Sequence, residues 1–334
     1  MAFHKSGIRL LLIFIVALVV LGIAPFMGLK SISLADLFNS KITIKNNIFW
    51  DIRVPRIFVA FLAGAGLAVS GMVFQAMFRN PLATPFTLGV SSGAAFGAAM
   101  YIKIGILFSI FGIAGQSIFS FFGALASVGL VYGITKIRKG FSTATMLIAG
   151  VAINFFFSSI ILFIQYLSDF AHSFRIIRWM MGGFEAVGYK PVFILLPFVA
   201  LGIFIISILV KELNLFMLGD DIAISRGMEV KLVRRLLFFG TSLMIGAVVA
   251  VCGPIGFIGM MAPHICRLIV GAEHRILAPA TFFFGGAFLV FCDTLSRTLI
   301  PPVEIPVGVI TSLLGGPFFL WLLLSGSSEK SMLK

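Results

Sequence analysis

Charge is what this chain has least of. Of its 334 residues only 11% are Asp, Glu, Lys or Arg, while 60% are hydrophobic. A soluble domain carries about 25% charged residues, so a water-exposed fold is excluded. Cysteine is nearly absent too. Cys252, Cys266 and Cys292 lie in or beside apolar segments without CxxC spacing, which rules out a disulfide framework and reads as small core residues. The histidines, His4, His172, His264 and His274, are scattered, with no HExxH and no paired carboxylates on an apolar helix face. Neither a metal site nor a catalytic constellation follows, and the chain is read as a non-enzyme. GxxxxGK[ST] is missing, so it has no P-loop for ATP, and a TVGYG-type potassium filter is missing as well. Ion-coupled carriers keep chains of Asp, Glu or His inside the membrane. Here Asp293, near the outer end of a span, stands alone.

What is present is a succession of long apolar runs. A helical span needs about 20 such residues, and the chain holds roughly ten with short connections. The alternating pattern of an outer-membrane barrel does not occur. The expectation is an all-α polytopic membrane protein with about ten transmembrane helices, forming one transmembrane domain over 1–334. The spans are placed near 10–29, 57–77, 106–134, 142–167, 191–210, 236–251, 255–270, 276–295 and 305–324, with one more around Gly89, Gly93 and Gly97. Lys5 and Arg9 precede the first run in the manner of a signal peptide. No small-residue cleavage site follows and Pro25–Phe26 interrupts the region, so a retained first span is expected. Ala60, Gly64 and Ala68 recur four apart, as do the three glycines just named. That spacing puts small residues on one helix face and lets backbones approach closely.

One polar stretch stands out, KELNLFMLGDDIAISRGMEVKLVRR at 211–235. Apolar segments flank it, so it lies in water against one membrane face. Asp220 and Asp221 suit the first turn of a short helix, where the dipole favours negative charge. Gly227 is placed to end it. Such a helix offers a docking surface to a soluble partner, although a solvated connecting loop would look similar.

Net charge is +13, but the basic residues fall mostly in short loops beside spans. There they set orientation and do not imply nucleic acid. With ten spans and the N-terminus inside, the cytoplasmic loops hold the larger share of Lys and Arg, including Lys136, Arg138, Lys139, Lys211, Arg234 and Arg235. Both termini and the 211–235 loop are therefore expected in the cytoplasm. At the outer face Arg53, Arg56 and Arg297 flank span ends. Arginine there anchors to lipid headgroups by snorkelling or pairs with carboxylates across a protein interface. A transport protein with neither an ion relay nor an ATPase of its own is a passive channel or borrows energy from a partner. An ATPase-driven permease leads by elimination, with a channel or a membrane scaffold as the alternatives.

Three stretches carry a specific resemblance: RVPRIFVAFLAGAGLAVSGMVFQAMFRNPLATPFTLGVSSGAAFG at 53–97, GPIGFIGMMAPHICRLIVGAEHR at 253–275 and DTLSRTLIPPVEIPVGVITSLLGGPFFLWLLL at 293–324. Together they resemble the FecCD family of ABC importer permeases, over nearly the whole chain. The resemblance implies the ten-helix type II importer fold in the cytoplasmic (inner) membrane. It also implies a homodimer or close heterodimer with a second permease copy. Two ATPase subunits carrying the ATP and Mg would sit inside, a periplasmic or lipoprotein binding protein outside, and this chain would hold no cofactor. Residue by residue, Arg53, Arg56 and Arg297 match arginines that face acidic residues of the binding protein. LGDDIAISRGM at 218–228, with Gly219, Asp220, Asp221, Arg226 and Gly227, matches the coupling helix that docks on the ATPase. FRNPLATP and GFSTAT correspond to segments near the cytoplasmic gate, which makes Asn80, Leu82, Ser142 and Thr143 gate candidates. A helix break and an N-cap would explain those residues equally well. The implied cargo is an iron complex of the ferric siderophore kind, with haem or vitamin B12 as the alternatives.

Overall fold

The computed structural model describes residues 2–28, 43–110, 112–137, 143–184 and 188–324. Ser142, much of the polar segment after the first span, and the basic pair Arg138 and Lys139 lie outside them. The described chain is a helical bundle. Its elements run α1 (Ala2–Ile23), α2 (Val54–Phe78), α3 (Val90–Ile104), α4 (Gly115–Ile137), α5 (Thr143–Tyr166), α6 (Phe170–Met180) and α7 (Lys190–Ile208). Then follow α8 (Val210–Leu218), α9 (Asp220–Ser225), α10 (Val230–Cys252), α11 (Ile258–Val270), α12 (His274–Thr298) and α13 (Val307–Leu324). Seven helices are long and apolar enough to cross a membrane. Among the described residues α11 and α13 are shorter apolar helices, so seven spans stand where the apolar runs predict about ten.

At the centre stands α2, buried along nearly all its length and packed against α7, α10, α11 and α12. By contrast α1 shows Leu11, Leu12, Ile15, Val16, Leu18 and Val19 outward, and tucks in Ile13 and Ala17. An outward apolar face is stable in lipid, where backbone groups are satisfied within each helix.

The small-residue faces do what their spacing predicts. A Cβ on Gly64 would lie 2.4 Å from the carbonyl oxygen of Gly285, and one on Gly97 would lie 2.0 Å from that of Phe119. So α2 meets α12, and α3 meets α4, almost backbone to backbone. Gly89 departs from the expectation. It precedes α3 in the left-handed region at φ +76°, and its carbonyl accepts from the hydroxyls of Ser92 and Ser127. It is a cap as well as a close contact, since a Cβ there would lie 2.9 Å from Ser127 Oγ and 3.1 Å from Ile153 Cγ2.

Two boundaries also differ. The span expected from residue 106 begins at Gly115, because Gly105 at φ +73° ends α3 and the chain forms a hairpin of β1 (Ser109–Ile110) and β2 (Ile113–Ala114). The charged stretch is not one loop: it holds α8, α9 and the first residues of α10.

Candidate functional site

The end of the bundle where α1 finishes carries the three arginines of the sequence reading. Arg53 donates from Nη1 to the Pro25 carbonyl at 2.9 Å, in the short 3-10 turn (Ala24–Phe26) that follows α1. Arg56 donates from Nε to Asp293 Oδ1 at 3.0 Å and from Nη1 to Glu304 Oε2 at 2.9 Å. Arg297, one turn beyond Asp293 on α12, reaches its other carboxylate oxygen at 3.1 Å. All three arginines are buried, at 6%, 9% and 7% exposure, and Asp293 is fully so. Asp293 therefore does not stand alone, as it seems to in the sequence. It is the shared counter-ion of two buried guanidiniums, which is how a membrane protein tolerates charge. The arginines themselves turn inward. Glu304, with its side chain 57% exposed, offers this network to solvent.

Beside the network opens a cavity of about 1130 Å³. Its walls include α6, the hairpin, the first turns of α4 and α7, the end of α10, and the segment 303–307 that carries Glu304. Helix α6 is set by its N-cap, since Asp169 accepts from the backbone N–H of His172 at 2.8 Å. That hydrogen bond, with a second from the imidazole, holds the Asp169 carboxyl below its ordinary range. Ile176 then buries against Ala95, Ala99, Ile102, Ile161 and Ile164. Arg175, Arg178 and Trp179 line the cavity as a result, and Lys190 faces them from α7.

The opposite end, where Arg9 at the start of α1 donates to the Ile269 carbonyl near the end of α11, carries the charged stretch. Gly219 turns the chain at φ +110° from α8 into α9. Asp220 on the first turn of α9 accepts from Arg234 of α10 through both oxygens, at 2.9 and 2.8 Å. Arg234 also lies over the Phe216 ring of α8, 5.3 Å from its centroid. Gly227, at φ +81°, ends the helix. Its N–H donates to Ile224 and that of Met228 to Ala223, the paired bonds of a Schellman stop. Leu218, Ile222 and Ile224 remain exposed here beside Asp221 and Arg226.

Two contacts tie this element into the bundle. Asn214 of α8 accepts from both the backbone N–H and the ring of His274, at the start of α12. The Arg79 guanidinium, at the end of α2, lies against Gly219, where an added Cβ would sit 3.3 Å from it. Next to Arg79, Asn80 accepts from the Leu82 N–H at 2.9 Å and so closes a local turn, with the Leu82 side chain exposed. Thr143 opens α5.

The FecCD transport family matches residues 10–325. This chain belongs to that family. The hemin transport system permease protein HmuU of Yersinia pestis is 37% identical, with 97% of this chain and 98% of that one covered. The vitamin B12 import system permease protein BtuC of Shigella boydii is 35% identical over 96% of each chain. A chain solved as an inward-facing conformation of a metal-chelate type ABC transporter superposes with a TM-score of 0.86 at 29% identity, covering 95% of this chain and 98% of that one. This FecCD chain is thus a multi-pass permease subunit of an ABC importer, a transport component whose ATPase is a separate chain.

Sequence reasoning about this FecCD permease missed the cavity lining and most pairings. Asp293 and Arg297 stand one helical turn apart, so that contact was open to a spacing argument. Arg56 is 237 residues from Asp293, and nothing local announces the pair. The Asp220–Arg234 pair makes a first prediction. Its side chains are 39% and 3% exposed, between a surface and a buried bridge. A double-mutant cycle to alanine should return a coupling of about 1 kcal/mol. A coupling near zero in chemical denaturation would reduce the pair to a chance contact.

Proposed function

We propose that this permease imports an iron complex of the ferric siderophore kind across the cytoplasmic membrane, with both termini inside. The observation that carries the reading is the cavity of about 1130 Å³. It exceeds the roughly 300–1,000 Å³ of sites for drug-sized ligands and accommodates a bulky chelate. Haem and vitamin B12, named for two relatives, are the second reading, favoured by the same dimension.

In the proposed cycle two permease copies form the path. A loaded binding protein docks at the end that holds Arg53, Arg56 and Arg297. Direct engagement of Arg56 by a partner carboxylate requires Glu304 to give way, since the two are in contact. Two ATPase subunits, which supply the ATP and Mg chemistry, dock on α9 through Asp221, Arg226 and the exposed Leu218, Ile222 and Ile224. Gly219 and Gly227 delimit that helix, and Asp220 transmits its movement to α10 through Arg234. Arg79 and Asn214 carry it to α2 and α12. Asn80, Leu82 and Thr143 are assigned to the cytoplasmic gate, together with Ser142, which lies outside the described residues; Asn80 and Leu82 follow Arg79, whose guanidinium lies against Gly219. The permease makes and breaks no covalent bond in its cargo.

Proteoliposomes with the ATPase and binding protein co-purified test this directly, with ferric siderophore, haem and cobalamin compared side by side. ATP-dependent uptake of ferric siderophore is expected, and replacing Asp220 and Arg226 should abolish it while the spans stay folded. Flux indifferent to ATP and to α9 would leave a channel. Uptake of cobalamin or haem alone would move the permease to the second reading.

A further inference from the structure

We infer that Arg56 is a carboxylate-exchange site. Glu304 occupies its outer edge in the undocked permease and yields it to an acidic side chain of the docking protein, which frees the stretch of cavity wall that Glu304 belongs to. The inference rests on the reading that a soluble binding protein docks at this end. It adds what holds the arginine beforehand and what its capture moves.

Arg56 is held from two sides that differ in kind. Its Nε and Nη2 both lie on Asp293 Oδ1, at 3.0 and 2.9 Å, and its Nη1 lies on Glu304 Oε2 at 2.9 Å. The Asp293 side chain is fully buried, whereas that of Glu304 is 57% exposed. Breaking a buried pair from one side is strongly destabilising. An exposed carboxylate adds little to such a pair, because water solvates it almost as well. Asp293 is the permanent counter-ion and Glu304 the replaceable one.

The segment that carries Glu304 is built for release. Pro301, Pro302, Val303 and Glu304 are all exposed, and the prolines have no N–H with which to tie the chain down. The backbone is fastened to α12 at the next residue, Ile305. Its N–H donates to the Ser296 carbonyl at 3.2 Å, and its carbonyl accepts from the Ser296 hydroxyl at 2.6 Å. With that anchor in place the Glu304 side chain swings off Arg56 without unravelling the helix.

Departure without replacement is costly. Arg56 and Arg297 share Asp293, and Arg297 Nη2 is buried with no hydrogen-bond partner among the described residues. Were Glu304 simply to leave, two buried guanidiniums would rest on one carboxylate, an uncompensated charge away from water. The contact therefore opens by exchange, an incoming carboxylate taking Nη1 as Glu304 leaves it. A neutral or basic surface has nothing to exchange, so the site fits an acidic one. Arg56 and Glu304 both line the cavity, as do Val303, Ile305 and Pro306. Exchange at the arginine thus loosens one wall of the cavity at the moment a partner docks. A fixed structural bridge is the plainer reading, and it predicts that losing Glu304 weakens docking or leaves it alone.

The test uses the full-length permease with its ATPase in phosphatidylcholine nanodiscs, and the binding protein that co-purifies with them. Glu304→Gln should dock that protein about tenfold more tightly than the parent, since the internal competitor is gone. Val303→Ser, at the exposed neighbour, should leave docking unchanged. A nitroxide on Val303→Cys reports the wall itself, because Cys252, Cys266 and Cys292 are buried and stay unlabelled. Docking should raise the mobility of that label in the parent, whereas with Glu304→Gln the label should be mobile beforehand. Affinity that Glu304→Gln leaves unchanged or weakens overturns the proposal, and so does a label at 303 that ignores docking. Failure of the parent complex to dock the binding protein even at low salt would instead remove the docking reading, and the exchange with it.

Discussion

Replacing Asp293 by alanine is expected to destabilise the protein by about 3–5 kcal/mol, the cost of breaking a buried ion pair from one side. The size of the effect follows from how the charges are shared. Asp293 is fully buried and lies 2.9 Å from Arg56 Nη2 and 3.1 Å from Arg297 Nε. Removing it leaves two buried guanidiniums facing one another. Arg297 Nη2 has no hydrogen-bond partner even with Asp293 present, so there is little slack to absorb the loss. Glu304 touches the same Arg56 from the exposed side, and Glu304→Gln should cost no more than about 1 kcal/mol. Chemical denaturation in mild detergent separates the two variants. Combining Asp293→Ala with Arg56→Met and Arg297→Met should recover most of the stability, because apolar replacements of a buried charge cluster are often neutral. An Asp293→Ala protein as stable as its parent would mean that the network contributes nothing to the fold.

The second large effect is steric. Gly71→Ala puts a methyl group 1.7 Å from the Gly259 carbonyl oxygen and 2.6 Å from its Cα. These are backbone atoms, so no rotamer change relieves the overlap and α2 must separate from α11. Overpacking of this kind costs about 1–3 kcal/mol and at times more, and the upper end is expected. Gly66→Ala, five residues earlier on the same helix, is the control. Its methyl would meet the Met244 side chain at 3.4 Å or more, a contact a flexible thioether accommodates. Limited proteolysis should find Gly71→Ala cleaved readily and Gly66→Ala as resistant as the parent. Equal resistance in both would refute the close approach of α2 and α11.

Much of this architecture was legible in the residues because lipid imposes simple rules. Long apolar runs had to be helices, and small residues four apart had to be a close-packed face. The stop at Gly227 and the acidic first turn at Asp220 and Asp221 were readable from local chemistry. What stayed hidden was of two kinds. Pairings such as Arg56 with Asp293, or Asn214 with His274, join residues 237 and 60 positions apart, and no periodicity encodes them. The common lining formed by Arg175, Arg178 and Lys190 depends on a cavity that exists only once α6, the hairpin and α7 are assembled. The hairpin itself was lost inside an apolar run, where Gly105 and Gly112 give the only local sign. The three arginines do gather at one end of the bundle. That they point inward is a property of the packing.

The glycine contacts divide the bundle mechanically. Where α2 meets α12, the backbones of Gly64 and Gly285 lie against one another, flanked by Cβ atoms of Ala68 and Leu289, a rigid contact that disfavours relative movement of the two helices. Where α7 meets α10, the contact at Gly202 is made by the sulfur and side-chain carbons of Met244, a flexible chain with many low-energy shapes. The first contact behaves as a weld and the second as a lubricated bearing. The expected slip surface for a motion that opens a path lies along α7 and α10, with the α2–α12 pair as the frame it moves against.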